Sequence, residues 1–355
     1  MAKTQVIGLD IGSTAVRAAQ LEFSGSSDPF ARSATLVRYG EVPIPMGAVR
    51  DGEVAEPELI AHALQELWSR GKFDTKDVVL GVGNQRVVVR DLTVPAMPLA
   101  QIKASLPFQV QELLPMSVDE ALLDFLPTGS GDGEHGPVVH GLLVAAVRQT
   151  VSANVLSASS AGLSPTMVDL NALAMVRAMC QGKLREHVVA IVDIGARVTN
   201  VVIAAQGRPR FVRVLPSGGQ DVTDAVARVA GISSQEAEDL KRRVGLGSAG
   251  PSDRGEVQEA VTSTVRTLVE AIRNTFVYYA SNNPGRPLEA VVLTGGGGHL
   301  PGLGQYLATS ARVAVSFGDP LETVTVAKSA GGRAAFAGRE SLMTLPVGLA
   351  YGVAA

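Results

Sequence analysis

A single cysteine, Cys180, in 355 residues excludes an intramolecular disulfide framework and fits a reducing compartment. Its setting, AMVRAMCQG, is a helical pattern running into glycine, so it reads as a core or helix-end residue rather than a nucleophile. Aromatic residues are scarce at 4%, with one tryptophan. Trp68 falls on a helical repeat and reads as a packing residue, not a base-stacking platform. Charge is sparse as well: 31 Lys and Arg against 34 Asp and Glu leave a net −3. That lacks the basic face a general nucleic-acid binder needs against phosphate repulsion. No run of 18 apolar residues exists, and the opening MAKTQVIGLD enters a strand too soon for a signal peptide. The expectation is a cytoplasmic protein whose membrane contact passes through a partner.

What is abundant is apolar mass, 46% of the chain with mean hydropathy +0.21. This fits buried, parallel-type strands rich in Val, Ile and Leu with helices packed on them. The length allows two domains or one large bilobal unit, each with a full core.

The chemistry begins at Gly8-Leu9-Asp10-Ile11-Gly12-Ser13-Thr14, where an apolar strand breaks into Asp-x-Gly-Ser/Thr. Such a turn supplies what a metal-bound phosphate needs: a carboxylate for Mg²⁺ through water, a glycine for close backbone approach, and N–H and O–H donors. Alone, the same pattern is an ordinary strand exit. A second copy changes the reading. Val188 to Ile203, VVAIVDIGARVTNVVI, repeats strand, Asp193-Ile194-Gly195, turn, Thr199, strand. Two such hairpins about 180 residues apart imply related halves facing across a cleft. A third element, Thr294-Gly295-Gly296-Gly297-Gly298, follows the strand Ala290 to Leu293 and suits close approach to a nucleotide.

These three segments resemble the actin, chaperone and sugar-kinase ATPase superfamily, with phosphate 1 at Asp10 to Thr14, phosphate 2 at Asp193 to Thr199 and the adenosine motif at Thr294 to Gly298. Within it the chain is most similar to the PilM family of type IV pilus assembly, relatives of the division protein FtsA. The resemblance implies a bilobal actin-like (ribonuclease H-like) α/β fold with two duplicated lobes and a small β/α subdomain inserted in the first half. The expected division is 1–78 with 169–185 as the first lobe, 79–168 as the insertion, 186–338 as the second lobe, and 339–355 returning to the hinge. It also implies ATP or ADP with Mg²⁺ held by Asp10 and Asp193, and phosphate contacts from Gly12, Ser13, Thr14, Gly195 and Thr199. Gly218 and Gly219 resemble the family's G-G-x-x-(L/V)-T loop near the nucleotide. Gly295, Gly296 and Gly297 would lie against the nucleoside. Glu238 and Lys241, three apart on one helix, match the superfamily pair that contacts ribose and adenine. A salt-bridged surface helix would also explain that pair, but in this context the nucleotide role is the expectation.

Hydrolysis needs a carboxylate, Gln or His near the interdomain helix to orient water. The candidates are Asp169 and Asn171, with Asp169 equally readable as a helix N-cap. Arg17 stands near the first phosphate turn but is expected to point elsewhere, so weak or absent turnover is expected. The implied partner is the N-terminal cytoplasmic peptide of a PilN-like inner-membrane protein, in a groove between insertion and first lobe. The pilus motor ATPases and self-association are further candidates; nucleic acid is not. Two other readings stand beside this one. An FtsA-like filament tether would need a basic amphipathic C-terminal helix, whereas no Lys or Arg occurs in the last fifteen residues. A small-molecule kinase would need a catalytic Asp, for which Asp221 is a candidate.

Along the rest of the chain, the pattern predicts a three-stranded opening meander, polar loops at Gly25 to Pro29 and 249–255, and a helix from Leu99 to Leu114. It further predicts an exposed loop from Thr128 to Pro137 and a helix from Ala327 to Ala337.

Overall fold

The computed structural model describes residues 4–25, 32–247 and 255–352. The polar stretches expected at 26–29 and 249–254 lie outside these. In chain order the strands and helices begin with β1 (Thr4–Ile11), β2 (Ala15–Gly25) and β3 (Arg32–Pro43), the expected meander, then a small ribbon of β4 (Val49–Arg50) and β5 (Glu53–Val54). They continue with α1 (Pro57–Gly71), β6 (Asp77–Val82), β7 (Val87–Pro95), α2 (Leu99–Gln109), β8 (Ala121–Gly133), β9 (Gly136–Val147), α3 (Arg148–Ser160), β10 (Ser164–Leu170) and α4 (Asn171–Met179). The second half holds β11 (Val188–Ile194), β12 (Thr199–Ala205), β13 (Arg208–Leu215), α5 (Gly219–Ala230), α6 (Ser234–Val244), α7 (Gly255–Asn282), β14 (Ala290–Thr294), α8 (Leu303–Ala311), β15 (Ala314–Phe317), β16 (Val324–Val326) and α9 (Thr344–Ala350).

Duplication is visible in the sheets. One runs β10-β6-β1-β2-β3-β16 and the other β13-β12-β11-β14-β15. Each has an antiparallel meander whose first strand accepts two parallel strands on its other side. The turns match in detail: Gly12 N–H donates to Ala15 O at 3.0 Å, and Gly195 N–H to Val198 O at 2.9 Å. Registers match too, Asp10 opposite Arg17 and Asp193 opposite Asn200. The central strands β1 and β11 are buried on both faces, which accounts for their continuous Val/Ile/Leu runs.

Between β7 and β9 lies the inserted unit, a three-stranded antiparallel sheet β7-β9-β8 covered by α2, with its own small core of Val94, Ile102, Leu106, Val110, Phe125 and Leu143. The pairing draws this unit in to about 87–147, inside the expected 79–168, because β6 and β10 both belong to the first lobe's sheet. The second lobe also hands the chain back early: β16 pairs with β3, so the return to the first sheet begins before residue 339.

Three local expectations change. The helix from Leu99 stops at Gln109, two residues past Pro107. Thr128 to Pro137 is not an open loop; β8 and β9 pair out to Gly133 and Gly136, leaving only Glu134 and His135 as the turn. Ala327 to Ala337 is not a helix but two 3₁₀ turns, split by Gly331 and Gly332 at φ 95° and 72°. Those positive φ values break the right-handed repeat. Trp68 and Cys180 behave as read: the indole donates to Thr75 O at 3.0 Å, and the thiol is buried at the end of α4, which pushes its pKa up to about 12. No helix of the described residues is long and apolar enough to cross a membrane.

The lobes are held together by α4 and α9. Helix α9 lies across β1 and against α4, and glycine permits both approaches. A Cβ on Gly8 would sit 2.0 Å from Pro346 O, and one on Gly348 2.0 Å from Ala174 O. Both obstacles are backbone and cannot swing aside. Gly8→Ala is therefore expected to lose about 2–4 kcal/mol in urea unfolding, at the upper end of overpacking costs. A loss below about 0.5 kcal/mol would show that α9 does not press on β1.

Candidate functional site

A cleft of about 560 Å³ opens between the lobes, walled by both Asp-x-Gly turns, the start of α5, one face of α6 and the glycine turn after β14. The expected nucleotide contacts line it, except Thr199 and Gly218. Thr199 is fully buried and donates to Ser217 O at 2.8 Å, pinning β12 to the loop before α5. Gly218 caps α5: a Cβ there would lie 2.5 Å from Gly195 O, so its smallness lets the helix start against the second turn. The contact is tied by Gly219 N–H to Gly195 O at 2.9 Å and Gln220 N–H to Ala196 O at 2.7 Å.

Asp10 and Asp193 end equivalent strands and are each only 7% exposed. Burial, opposed by the Arg17 guanidinium and reinforced by the negative charges of Asp193 and Glu41, pushes Asp10 up to about 7. Burial also raises Asp193, against a Thr294 hydroxyl that donates to it at 2.9 Å. Neither carboxylate is fully compensated by the protein.

Arg17 does not point elsewhere as expected. It lines the cleft, with Nη1 3.9 Å from Asp10 Oδ2 and Nη2 donating to Glu41 Oε1 at 3.0 Å. Glu41 in turn accepts from Arg339 Nη2 at 2.9 Å and from the Tyr39 hydroxyl at 3.3 Å. The signal for Arg17 was the hairpin register, which sets it directly across from Asp10. Nothing local signals Arg339, which arrives from almost 300 residues away.

On the second lobe, Lys241 is 7% exposed and donates to Glu238, to Thr223 Oγ1 at 3.0 Å and to Gly219 O at 3.1 Å. Burial works to raise Glu238, but hydrogen bonds from Lys241, Thr223 and Arg242 override it and hold the carboxyl at about 2. Burial lowers Lys241, with Glu238 opposing. The pair is therefore a fixed part of the cleft wall, not a solvated surface bridge. The glycine turn closes in beside it: a Cβ on Gly295, at φ 78°, would lie 2.7 Å from Asp193 Oδ1, and one on Gly297 2.6 Å from Ile194 Cγ2.

Asp169 is outside the cleft. It accepts from Leu170 N–H at 2.7 Å and pairs with Arg177, and it does not cap α4. Asn171, by contrast, lines the cleft, and its buried Oδ1 has no partner. Asn154 and Asn200 line it in the same condition. Asp221 is committed to the α5 terminus, accepting from Gly218 N–H at 2.9 Å and Ser217 Oγ at 2.8 Å.

These observations test the fit of a metal-bound nucleotide. Three unpartnered amide oxygens, two undercompensated carboxylates and a glycine cradle that leaves no room for side chains all converge on one space. Among the described residues no three His, Cys, Asp or Glu side chains are placed to hold a metal ion together. The two carboxylates suit a hard cation that keeps much of its water, as Mg²⁺ does. The residues present fit the group.

A family model described as type IV pilus assembly protein PilM matches residues 8–352. The chain is similar to a solved PilM–PilN type IV pilus biogenesis complex at TM-score 0.83 and 26% identity, covering 98% of each chain. It shares its fold with MreB5 of Spiroplasma citri bound to AMPPNP, at TM-score 0.54 and 14% identity over 97% of this chain and 94% of that one. Among curated proteins it is similar to cell division protein FtsA of Borreliella burgdorferi, 26% identical over 41% of this chain and 40% of that protein. FtsA of Bacillus subtilis is 18% identical over 67% of this chain. The chain spans 40% and 58% of the lengths of these two FtsA proteins.

A raised carboxyl has a pH signature. The folded protein keeps on Asp10 a proton that the unfolded chain, near 3.8, gives up, so this group costs stability as pH rises from about 4 through about 7. Asp10→Asn is expected to match wild type near pH 4 and exceed it by about 1–3 kcal/mol at pH 8 in urea unfolding without nucleotide. An equal difference at both pH values would contradict the raised pKa.

Proposed function

The chain belongs to the PilM family of type IV pilus assembly proteins, and from that premise we propose that it is a nucleotide-gated scaffold of pilus assembly. The observation that carries the reading is the single cleft into which both Asp-x-Gly turns, the glycine turn and the Glu238–Lys241 pair converge. In this reading ATP or ADP lies between the lobes. Asp10 and Asp193 hold Mg²⁺ through water, and the backbone and hydroxyl donors of Gly12, Ser13, Thr14 and Gly195 take phosphate oxygens. Gly295 to Gly297, Gly219, Glu238 and Lys241 receive the nucleoside. The cation, when bound, supplies positive charge that offsets both the phosphates and the two buried carboxylates.

Each lobe contributes one phosphate turn, so nucleotide favours closure by its differential contacts with closed and open forms. Turnover is slow in this reading. Asp169 is engaged by Arg177, and the hinge-side groups that line the cleft are the amides of Asn154 and Asn171, which orient water but take no proton. The scaffold's partner is the N-terminal cytoplasmic peptide of a PilN-like inner-membrane protein, held between the insertion and the first lobe. The similarity to the PilM of a PilM–PilN complex supports this. That peptide would place the protein at the inner face of the membrane, within reach of the motor ATPases and of further copies of itself.

Calorimetric titration tests the reading. Wild type is expected to bind Mg-ATP with a Kd on the order of 1–10 μM. Lys241→Met and Asp193→Ala are each expected to weaken binding by about tenfold or more, while remaining folded by circular dichroism. Nucleotide is expected to change the affinity for the PilN-type peptide by about fivefold or more. Folded wild type that binds no nucleotide would overturn the gated scaffold.

A further inference from the structure

On the hinge side of the cleft the first lobe presents side-chain oxygens that nothing in the protein answers. Strand β6 runs out through Gly81-Val82-Gly83, with glycine at both positions that meet α4. A Cβ on Gly81 would lie 2.3 Å from Asn171 Oδ1, and one on Gly83 2.7 Å from Asn171 Cβ. The two glycines thus seat the Asn171 amide against the strand end. Asn154, from α3, comes to the same place: its Nδ2 stands 3.5 Å from Gly81 O, at the outer limit of a hydrogen bond. From the second lobe, Asn200 lines the same cleft. It lies across the β11–β12 pairing from Asp193, so these two side chains share one face of the sheet. Asn154, Asn171 and Asn200 are 5%, 9% and 4% exposed, and the Oδ1 of each is buried without a partner.

All three oxygens are acceptors, and the cations nearby are committed elsewhere. Arg17, Lys241, Arg242 and Arg339 line the cleft, and each pairs with Glu41 or Glu238. Asp193, beside Asn200, is held by a neutral hydroxyl. A single water has two hydrogens to donate and cannot answer three acceptors, whereas a cation has no such limit. Leaving buried acceptors unmet costs free energy, so a ligand that meets them is favoured. Mg²⁺ is poorly suited to neutral amides, because it dehydrates reluctantly and takes carboxylate and phosphate oxygens. Uncharged carbonyl-type oxygens instead replace the hydration shell of an ion that gives up its water readily.

We propose that Asn154, Asn171 and Asn200 form a potassium site on the hinge side of the cleft, separate from the Mg²⁺ position. Asn154 and Asn171 hold the ion on the first lobe, and Asn200 reaches it from the second. The water that these amides order is then the ion's own shell. Because its ligands come from both lobes, the site makes lobe closure respond to K⁺. Phosphate oxygens add ligands when a nucleotide is present, but none of the three amides depends on one. The inference therefore goes beyond the nucleotide reading and is tested apart from it.

Two measurements on the full chain without nucleotide test the site. In thermal unfolding at fixed ionic strength, KCl is expected to raise Tm by about 2 °C or more over choline chloride, with NaCl giving less than half of that shift. Asn154→Leu, which keeps the volume and removes the oxygen, is expected to abolish the shift. Asn282→Ala, at the exposed end of α7, is the control and keeps it. In wild-type crystals grown with thallous acetate in place of the potassium salt, an anomalous peak is expected in contact with at least two of the three amide oxygens. That readout does not depend on any variant folding. Three outcomes overturn the proposal: the same Tm in KCl and choline chloride, a shift that NaCl equals or Asn154→Leu retains, or no thallium peak at the amides. Calorimetry in both salts separates this site from the nucleotide reading. Wild type that binds Mg-ATP equally in KCl and choline chloride, with no K⁺ shift, keeps the gated scaffold and loses the potassium site. A K⁺ shift in a protein that binds no nucleotide does the reverse.

Discussion

Two carboxylates buried at the mouths of two equivalent strands are the constraint around which this protein is built. Desolvation disfavours each charge, and each charge disfavours the other. A chain selected for stability alone would place apolar or hydrogen-bonding side chains at the ends of β1 and β11. Instead the fold converges on Asp10 and Asp193 from both lobes and answers them incompletely, one with a guanidinium 3.9 Å away and the other with a threonine hydroxyl. In the proposed reading a cation recovers that cost on entering, and ligand binding and lobe closure become parts of one free-energy balance.

Such a balance requires that the lobes be joined without being fused. The contact through α4 and α9 meets that need by closeness of backbone. Gly8 and Gly348 let α9 lie on β1 and on α4 with almost no intervening side chain. A few backbone contacts fix the crossing point and leave the cleft walls to polar side chains and glycines. The same α4 carries Asn171 into the cleft and Leu173 and Val176 into a groove on the opposite side. One short helix thus touches both the cleft and a smaller concavity lined by Leu126, Pro127 and Arg208.

Much of this was readable in the chain because the decisive signals are local. A strand that ends in Asp-x-Gly announces its turn within seven residues, and the second copy announces the duplication. The Glu238–Lys241 pair was readable from helical spacing, though not its burial, which depends on α5 and Gly219. Where the reading went astray, the determinant was remote or two-sided. Gly129, Gly131 and Gly133 suggested a loop, yet pairing with β9 holds that stretch extended. Ala327 to Ala337 has helical composition, but adjacent glycines in the left-handed region break it. Asp169 looked available because its partner Arg177 is two helical turns away and is itself steadied by Gly348 O from the chain's far end.

The two halves also differ at equivalent positions. Pairing sets Arg17 opposite Asp10 and Asn200 opposite Asp193, so equivalent positions hold a cation in the first lobe and a neutral amide in the second. In the first lobe the guanidinium is shared with Glu41, which also holds Arg339 from the segment leading into α9. In the second the amide Oδ1 is buried and unpartnered. A symmetric cleft would bind a symmetric ligand in two orientations with equal ease. Placing Arg17 on one side, and the Glu238–Lys241 pair and the glycine turn on the other, removes that degeneracy. It also gives the first lobe, and not the second, a charged path from the cleft to the returning chain: Asp10, Arg17, Glu41, Arg339. In the proposed reading, an anion that draws Arg17 away from Glu41 would leave that carboxylate to Arg339 and Tyr39 alone, and the first lobe's response to ligand would run through its own ion pairs.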